Sequence, residues 1–105
     1  MQTNFHNVSR DEIETVTRII RKALGAGYKI SVNDSSDCGG DWVVKRSRDQ
    51  AAILASMFST EGDAFLIRDE ADDRVGMIFF IYGNDGDDVV YDHTDNAAIA
   101  SLVAA

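Results

Sequence analysis

Residues 64–82 read AFLIRDEADDRVGMIFFIY, and the reading of this stretch decides the fold. Two apolar runs of strand length, Ala64 to Arg68 and Val75 to Tyr82, flank the acidic segment Asp69 to Asp73. Short apolar runs bounded by a polar turn predict two antiparallel strands. The second run is apolar at consecutive positions, which predicts a central strand covered on both faces or nearly so.

Working upstream, Tyr28, Ile30 and Val32 alternate with Lys29, Ser31 and Asn33, the period of a half-buried strand. A turn-rich loop over 34–41 leads to Trp42, Val43, Val44 and Lys45, the returning strand of a hairpin. Ser47 with Gln50 has capping-box spacing and opens a helix that turns Ile53, Leu54, Met57 and Phe58 inward. At the start of the chain Ser9 and Glu12 form another capping box, with Val8 placed to staple against Ile13. Ile13, Val16, Ile20 and Leu24 then recur on one helical face, and Gly25 and Gly27 end the helix. Downstream, Gly83, Asn84, Asp85 and Gly86 suit a turn with positive φ, so Val89 to Tyr91 returns as a further antiparallel strand. Thr94 or Asp95 is placed to cap a short last helix with Ile99, Leu102 and Val103. The expected fold is α+β, an antiparallel sheet of four to five strands with helices packed on it, in the order αββαβββα.

A chain of 105 residues with 45% hydrophobic residues has enough apolar surface for one core, so residues 1–105 are expected to form a single domain. Cys38 is the sole cysteine, which excludes an internal disulfide and suits a reducing compartment, the cytoplasm, better than a secreted setting. The longest apolar run, Met77 to Tyr82, is too short to span a bilayer, so no membrane partner is expected.

Charge is distributed unevenly. The net charge is −8, and residues 63–105 hold ten acids against Arg68 and Arg74. An excess of this sign opposes direct nucleic-acid binding. Lys45, Arg46 and Arg48 form a small basic patch, but regular strand alternation sends Lys45 and Arg46 to opposite faces.

The motifs that carry chemistry are sparse. The segment GNDGDDVVYD, residues 83–92, is similar to the calcium-binding nonapeptide of stacked β-rolls, but it occurs once and lacks the neighbouring turns that share each ion. Asp92, His93 and Asp95 would offer a histidine between carboxylates, yet the chain has two histidines and no zinc-ligand spacing. Cys38 sits beside Gly39 and Gly40, but Asp34, Asp37 and Asp41 would raise its thiol pKa, the wrong direction for a nucleophile. No phosphate-binding glycine loop, serine elbow or dinucleotide fingerprint is present. The expectation is a non-enzymatic protein with no catalytic residue, metal site or cofactor.

The segments GYKISVND, DWVVKRS, AAILASMFST, FLIRD and RVGMIFFIYGNDGDDVVYDHTDN carry a resemblance over about residues 24–96. They resemble a group of small bacteriophage and prophage accessory proteins. The resemblance implies a place in the host-cell cytoplasm and stoichiometric action on host machinery, including inhibition of CRISPR–Cas and restriction systems, and brings no catalytic residue or cofactor with it. On that expectation an acidic surface made by Asp69, Glu70, Asp72, Asp73, Asp85, Asp87, Asp88, Asp92 and Asp95 occupies a basic groove on a nucleic-acid-binding defence complex. Tyr91 and Tyr82 are the expected aromatic anchors beside it. The alternative is a structural or assembly role, in which Trp42 and the loop over 34–41 mediate homodimerisation or attachment to another phage protein. Against that, a core position is the commoner one for a tryptophan.

Overall fold

The computed structural model describes residues 8–83 and 88–104. Its elements are α1 (Arg10–Gly25), β1 (Lys29–Asn33), β2 (Trp42–Ser47), α2 (Gln50–Ala55), β3 (Gly62–Arg68), β4 (Arg74–Ile81), β5 (Val90–His93) and α3 (Ala97–Val103). The five strands form one antiparallel sheet in the order β2-β1-β3-β4-β5, so the expected α+β class and element order hold.

The expected central strand is corrected by one place. β3 lies in the middle of the sheet and β4 next to its edge. Its residues Ile78 and Phe80 are buried, whereas Val75, Met77, Phe79 and Ile81 are half-buried. Continuous apolarity in β4 thus marks a strand with one packed face and one partly uncovered face.

All three helices cover the same side. Ile30 and Val32 of β1, Phe65 and Ile67 of β3, and Ile78 and Phe80 of β4 join Val16, Ile19, Ile20, Ala23, Ile53, Ile99 and Leu102 from the helices in one core. The register pairs Ile30 with Ile67, Val32 with Phe65 and Phe65 with Ile78, so these residues project together toward the helices. Phe65 and Phe80 meet edge to face at 4.7 Å between ring centroids.

Capping decides where each helix begins. Ser9 and Glu12 make the expected capping box on α1, with Glu12 N–H donating to Ser9 Oγ at 3.2 Å and Ser9 N–H to Glu12 Oε1 at 2.9 Å. The other two caps differ from expectation. Asp49, not Ser47, caps α2, because its carboxylate sits one residue before the helix and accepts from Ala51 and Ala52 N–H. Ser47 is still strand, and its hydroxyl accepts from Asp49 N–H instead. α2 ends at Ala55, so the buried Met57 and Phe58 follow the helix rather than belong to it. Asn96 caps α3 by accepting from Ile99 N–H at 2.8 Å, while Thr94 is used in the sheet, its hydroxyl accepting from Met77 N–H.

Candidate functional site

On the side away from the helices, alternate strand residues form a second face: Ser31 and Asn33 of β1, Ala64 and Leu66 of β3, and Met77 and Phe79 of β4. No helix among the described residues covers this face. A loop roofs one end of it. Asn33 holds residues 34–41 in place, its Oδ1 accepting from Ser35 and Gly40 N–H and its Nδ2 donating to Gly40 O at 3.2 Å. Ser36 lies directly over Gly62, where a Cβ would stand 2.6 Å from Ser36 Cβ. From the far edge strand, the Tyr91 hydroxyl donates to Ser36 O at 2.8 Å, and its ring stands 6.2 Å from that of Phe79. The roof explains why Asn33 and Ala64 are fully buried although they face away from the helices.

The other end of the face is open and basic. Ser31, Trp42, Lys45, Arg46, Leu66, Arg68 and Arg74 line a groove of about 390 Å³ that contains no acidic side chain. Two features of the sheet build it. β2 is irregular against β1, and Arg46 adopts φ 51°, a left-handed conformation uncommon for a residue with a side chain. Its N–H donates to Ser31 Oγ at 2.9 Å. This irregularity overturns the expected alternation: Lys45 and Arg46 both line the groove instead of pointing to opposite faces. The second feature is the β3–β4 register, which sets Arg68 opposite Arg74.

Trp42 is 37% exposed, which corrects the expectation of a core tryptophan. Its strand is at the sheet edge and its register partner, Asn33, faces away from the helices, so no layer exists to bury the indole. Val43 at 45% and Tyr91 at 50% are the other large apolar side chains left exposed among the described residues.

The acidic residues do not form one surface. β4 spans about 26 Å at roughly 3.3 Å per residue, and the acidic positions are spread along it, from the β3–β4 turn at one end, past Asp92 beside Phe79, to Asp88 beyond the other end. Asp69, Glu70, Asp72 and Asp73 make the β3–β4 turn at one end, where Asp69 Oδ1 accepts from Asp73 N–H and Asp72 Oδ1 pairs with Arg46 Nε at 3.1 Å and Lys29 Nζ at 3.5 Å. Asp72 O also accepts from Arg68 Nη1 at 2.9 Å. Asp88 is exposed beyond the other end of β4, while Asp85 and Asp87 lie outside the described residues. Asp92 and Asp95 are exposed along β5 and the approach to α3, and Asp92 Oδ1 accepts from His93 N–H. His93 Nδ1 faces Thr94 O at 2.9 Å. Among the described residues no group of three histidine, cysteine or acidic side chains is arranged to hold a metal ion.

Two acidic residues that drew no functional reading from the sequence turn out to be internal. Asp63 is fully buried on the helix side of β3, where Oδ2 accepts from Phe58 N–H at 3.0 Å and from the Tyr82 hydroxyl. Burial raises the carboxyl above its ordinary value, against the pull of those two hydrogen bonds, and it raises the Tyr82 phenol as well. Tyr82 is therefore a core residue and not the expected surface anchor; Tyr91 alone keeps its ring exposed. Glu12 is likewise buried, and its carboxylate accepts from Gly83 N–H at 3.1 Å in addition to capping α1. The Cys38 thiol is raised first by burial and then by Asp37, with Arg74 opposing, in the direction expected from its acidic neighbours.

No helix among the described residues is long and apolar enough to cross a membrane. No family model matches the chain, and neither the curated proteins nor the solved structures yield a match.

Proposed function

We propose that this chain is a non-enzymatic protein that acts by stoichiometric contact with a protein partner, and that the helix-free face of its sheet is the contact surface. The observation that carries this reading is the asymmetry of the sheet. Three helices bury one face, while the other presents Trp42, Tyr91 and a cluster of cations to solvent. Exposed aromatic rings beside arginines supply most of the binding energy in protein interfaces. The exposed acidic residues of the β3–β4 turn, together with Asp88, Asp92 and Asp95, add a long-range field that steers the encounter.

The resemblance to phage accessory proteins supports host defence machinery as the setting, with a CRISPR surveillance complex as the first partner to test. Immobilised complex should capture the chain and lose DNA binding as it does so. Trp42→Ala and Tyr91→Ala should speed release of a chain that remains folded. Absence of capture at micromolar concentration, or capture unaffected by both substitutions, refutes the proposal in this setting.

Self-association is the second reading, and the exposed indole on an edge strand favours it. Light scattering over a hundredfold concentration range separates the two. A dimer that Trp42→Ala dissociates supports self-association, and a monomer throughout supports a different partner chain.

A further inference from the structure

The protein bears an excess of acid, yet it concentrates cations at one place on its open sheet face. Arg68 and Arg74 stand directly opposite each other across β3 and β4, a like-charge pairing that disfavours the sheet. Neither forms an ion pair with a carboxylate among the described residues, and neither does Lys45. Arg46, the fourth cation, holds a left-handed backbone conformation that brings its side chain to the same groove. Asp72 meets part of this charge, its carboxylate pairing with Arg46 and its carbonyl accepting from Arg68. Arg74 and Lys45 keep no carboxylate partner among the described residues, and local costs left in this way are the mark of a site completed by something else.

We infer that the groove takes an acidic peptide segment of a protein partner, Arg68 and Arg74 clasping its carboxylates while Trp42 and Leu66 receive an adjoining apolar side chain. The inference rests on the open face being the binding face, as proposed above. Planar guanidinium groups match carboxylates in two-point geometry, and the β3–β4 register brings both arginines to the same groove. The length of the positive region selects the ligand. Asp41 precedes Trp42 in the chain, and Asp69 and Asp73 are the chain neighbours of Arg68 and Arg74, so the positive region is short and suits a short acidic segment. A continuous phosphate backbone, carrying charge at every step, would run onto those carboxylates. A second copy of this chain is a poorer occupant, because the turn nearest the groove is already committed. Asp69 closes its own hairpin and Asp72 pairs with Lys29 and Arg46.

The experiment titrates the full isotopically labelled chain with an N-acetylated, amidated hexaglutamate peptide at low salt, following backbone amides and the Trp42 indole. Saturable shifts confined to Ser31, Trp42, Lys45, Arg46, Arg68 and Arg74 are expected. Arg74→Gln should weaken binding at least tenfold, and it should leave the thermal midpoint unchanged or raised because a like-charge pair is relieved. Arg18→Gln, an exposed cation on α1, is the control and should leave binding unchanged.

Equal losses from Arg74→Gln and Arg18→Gln would mean diffuse attraction and overturn the site. Absence of saturable shifts at millimolar peptide overturns it as well. Tighter binding of a hexathymidylate oligonucleotide than of hexaglutamate at the same ionic strength overturns the choice of ligand in favour of nucleic acid. The same resonances moving with protein concentration alone would assign the groove to a second copy. Because the peptide assay needs no defence complex, the two ideas fail separately: capture without peptide binding sinks this site, and peptide binding without capture sinks the proposed setting.

Discussion

Replacing Asp63 tests the internal electrostatics of the fold. The carboxylate accepts from Phe58 N–H and the Tyr82 hydroxyl in a fully buried position, so Asp63→Ala leaves two donors without that acceptor. At about 1–3 kcal/mol for each buried unsatisfied group, the loss is about 4 kcal/mol. That is a large share of the roughly 5–15 kcal/mol that stabilises an ordinary domain. Asp63→Asn separates charge from hydrogen bonding, since its amide oxygen can accept both bonds and remains neutral at every pH.

Burial raises the folded carboxyl above its ordinary value of 3.8, so the native protein holds this proton to higher pH than the unfolded chain does. The stability contributed by Asp63 is therefore complete below the unfolded value and is lost as pH rises through the folded one. Every tenfold weakening of the acid adds about 1.4 kcal/mol to the cost of ionising it in place. The Asn variant should gain on the wild type as pH climbs from 4 to 8, and urea denaturation followed by far-ultraviolet circular dichroism measures that difference. A difference that stays flat, or turns toward the wild type with rising pH, refutes the reasoning.

Other perturbations follow from close contacts. Gly76→Ala places a Cβ 2.6 Å from Ile99 Cγ1 and 3.0 Å from Thr94 Cβ, so α3 must shift at a cost of about 1–3 kcal/mol, read from thermal melts. Asn33→Ala removes three hydrogen bonds from the loop over 34–41 and should accelerate amide exchange at Ser35 and Gly40 far more than in β3. Asp72→Asn breaks partly exposed ion pairs and should cost less than about 1 kcal/mol, while strengthening hexaglutamate binding by releasing Arg46. Cys38 should react slowly with a disulfide reagent at pH 7 and faster with rising pH, and Asp37→Asn should increase the rate at fixed pH.

The sequence made periodicity legible, and with it the elements and the class. Ile30 and Val32, or Ile13 through Leu24, declare their faces without reference to anything distant. What it concealed depended on partners far along the chain. Consecutive apolar residues in β4 look alike whether a strand is covered twice or once, and only the packed core shows that the described helices all lie on the side of Ile78 and Phe80, away from Met77 and Phe79. The basic groove was hidden for a similar reason: alternation separates Lys45 from Arg46, and the irregular pairing that reunites them involves the Ser31 hydroxyl, fifteen residues earlier. Asp63 reads as one more acid beside a turn until Tyr82 and Phe58 close over it. The acidic count in residues 63–105 was plain, but its dispersal among the β3–β4 turn, the interior at Asp63 and the length of β5 was not.

The bond between Glu12 and Gly83 also bears on how the chain is made. The first helix contains a carboxylate that becomes buried, and part of its solvation is replaced by a backbone donor 71 residues later. During synthesis, α1 leaves the ribosome long before β4 exists to receive it. Until residue 83 emerges, docking α1 buries Glu12 without that donor, at a cost of about 1–3 kcal/mol. Closure of the domain is thereby tied to completion of its fourth strand, and truncated chains ending before Gly83 should remain open and accessible to proteases.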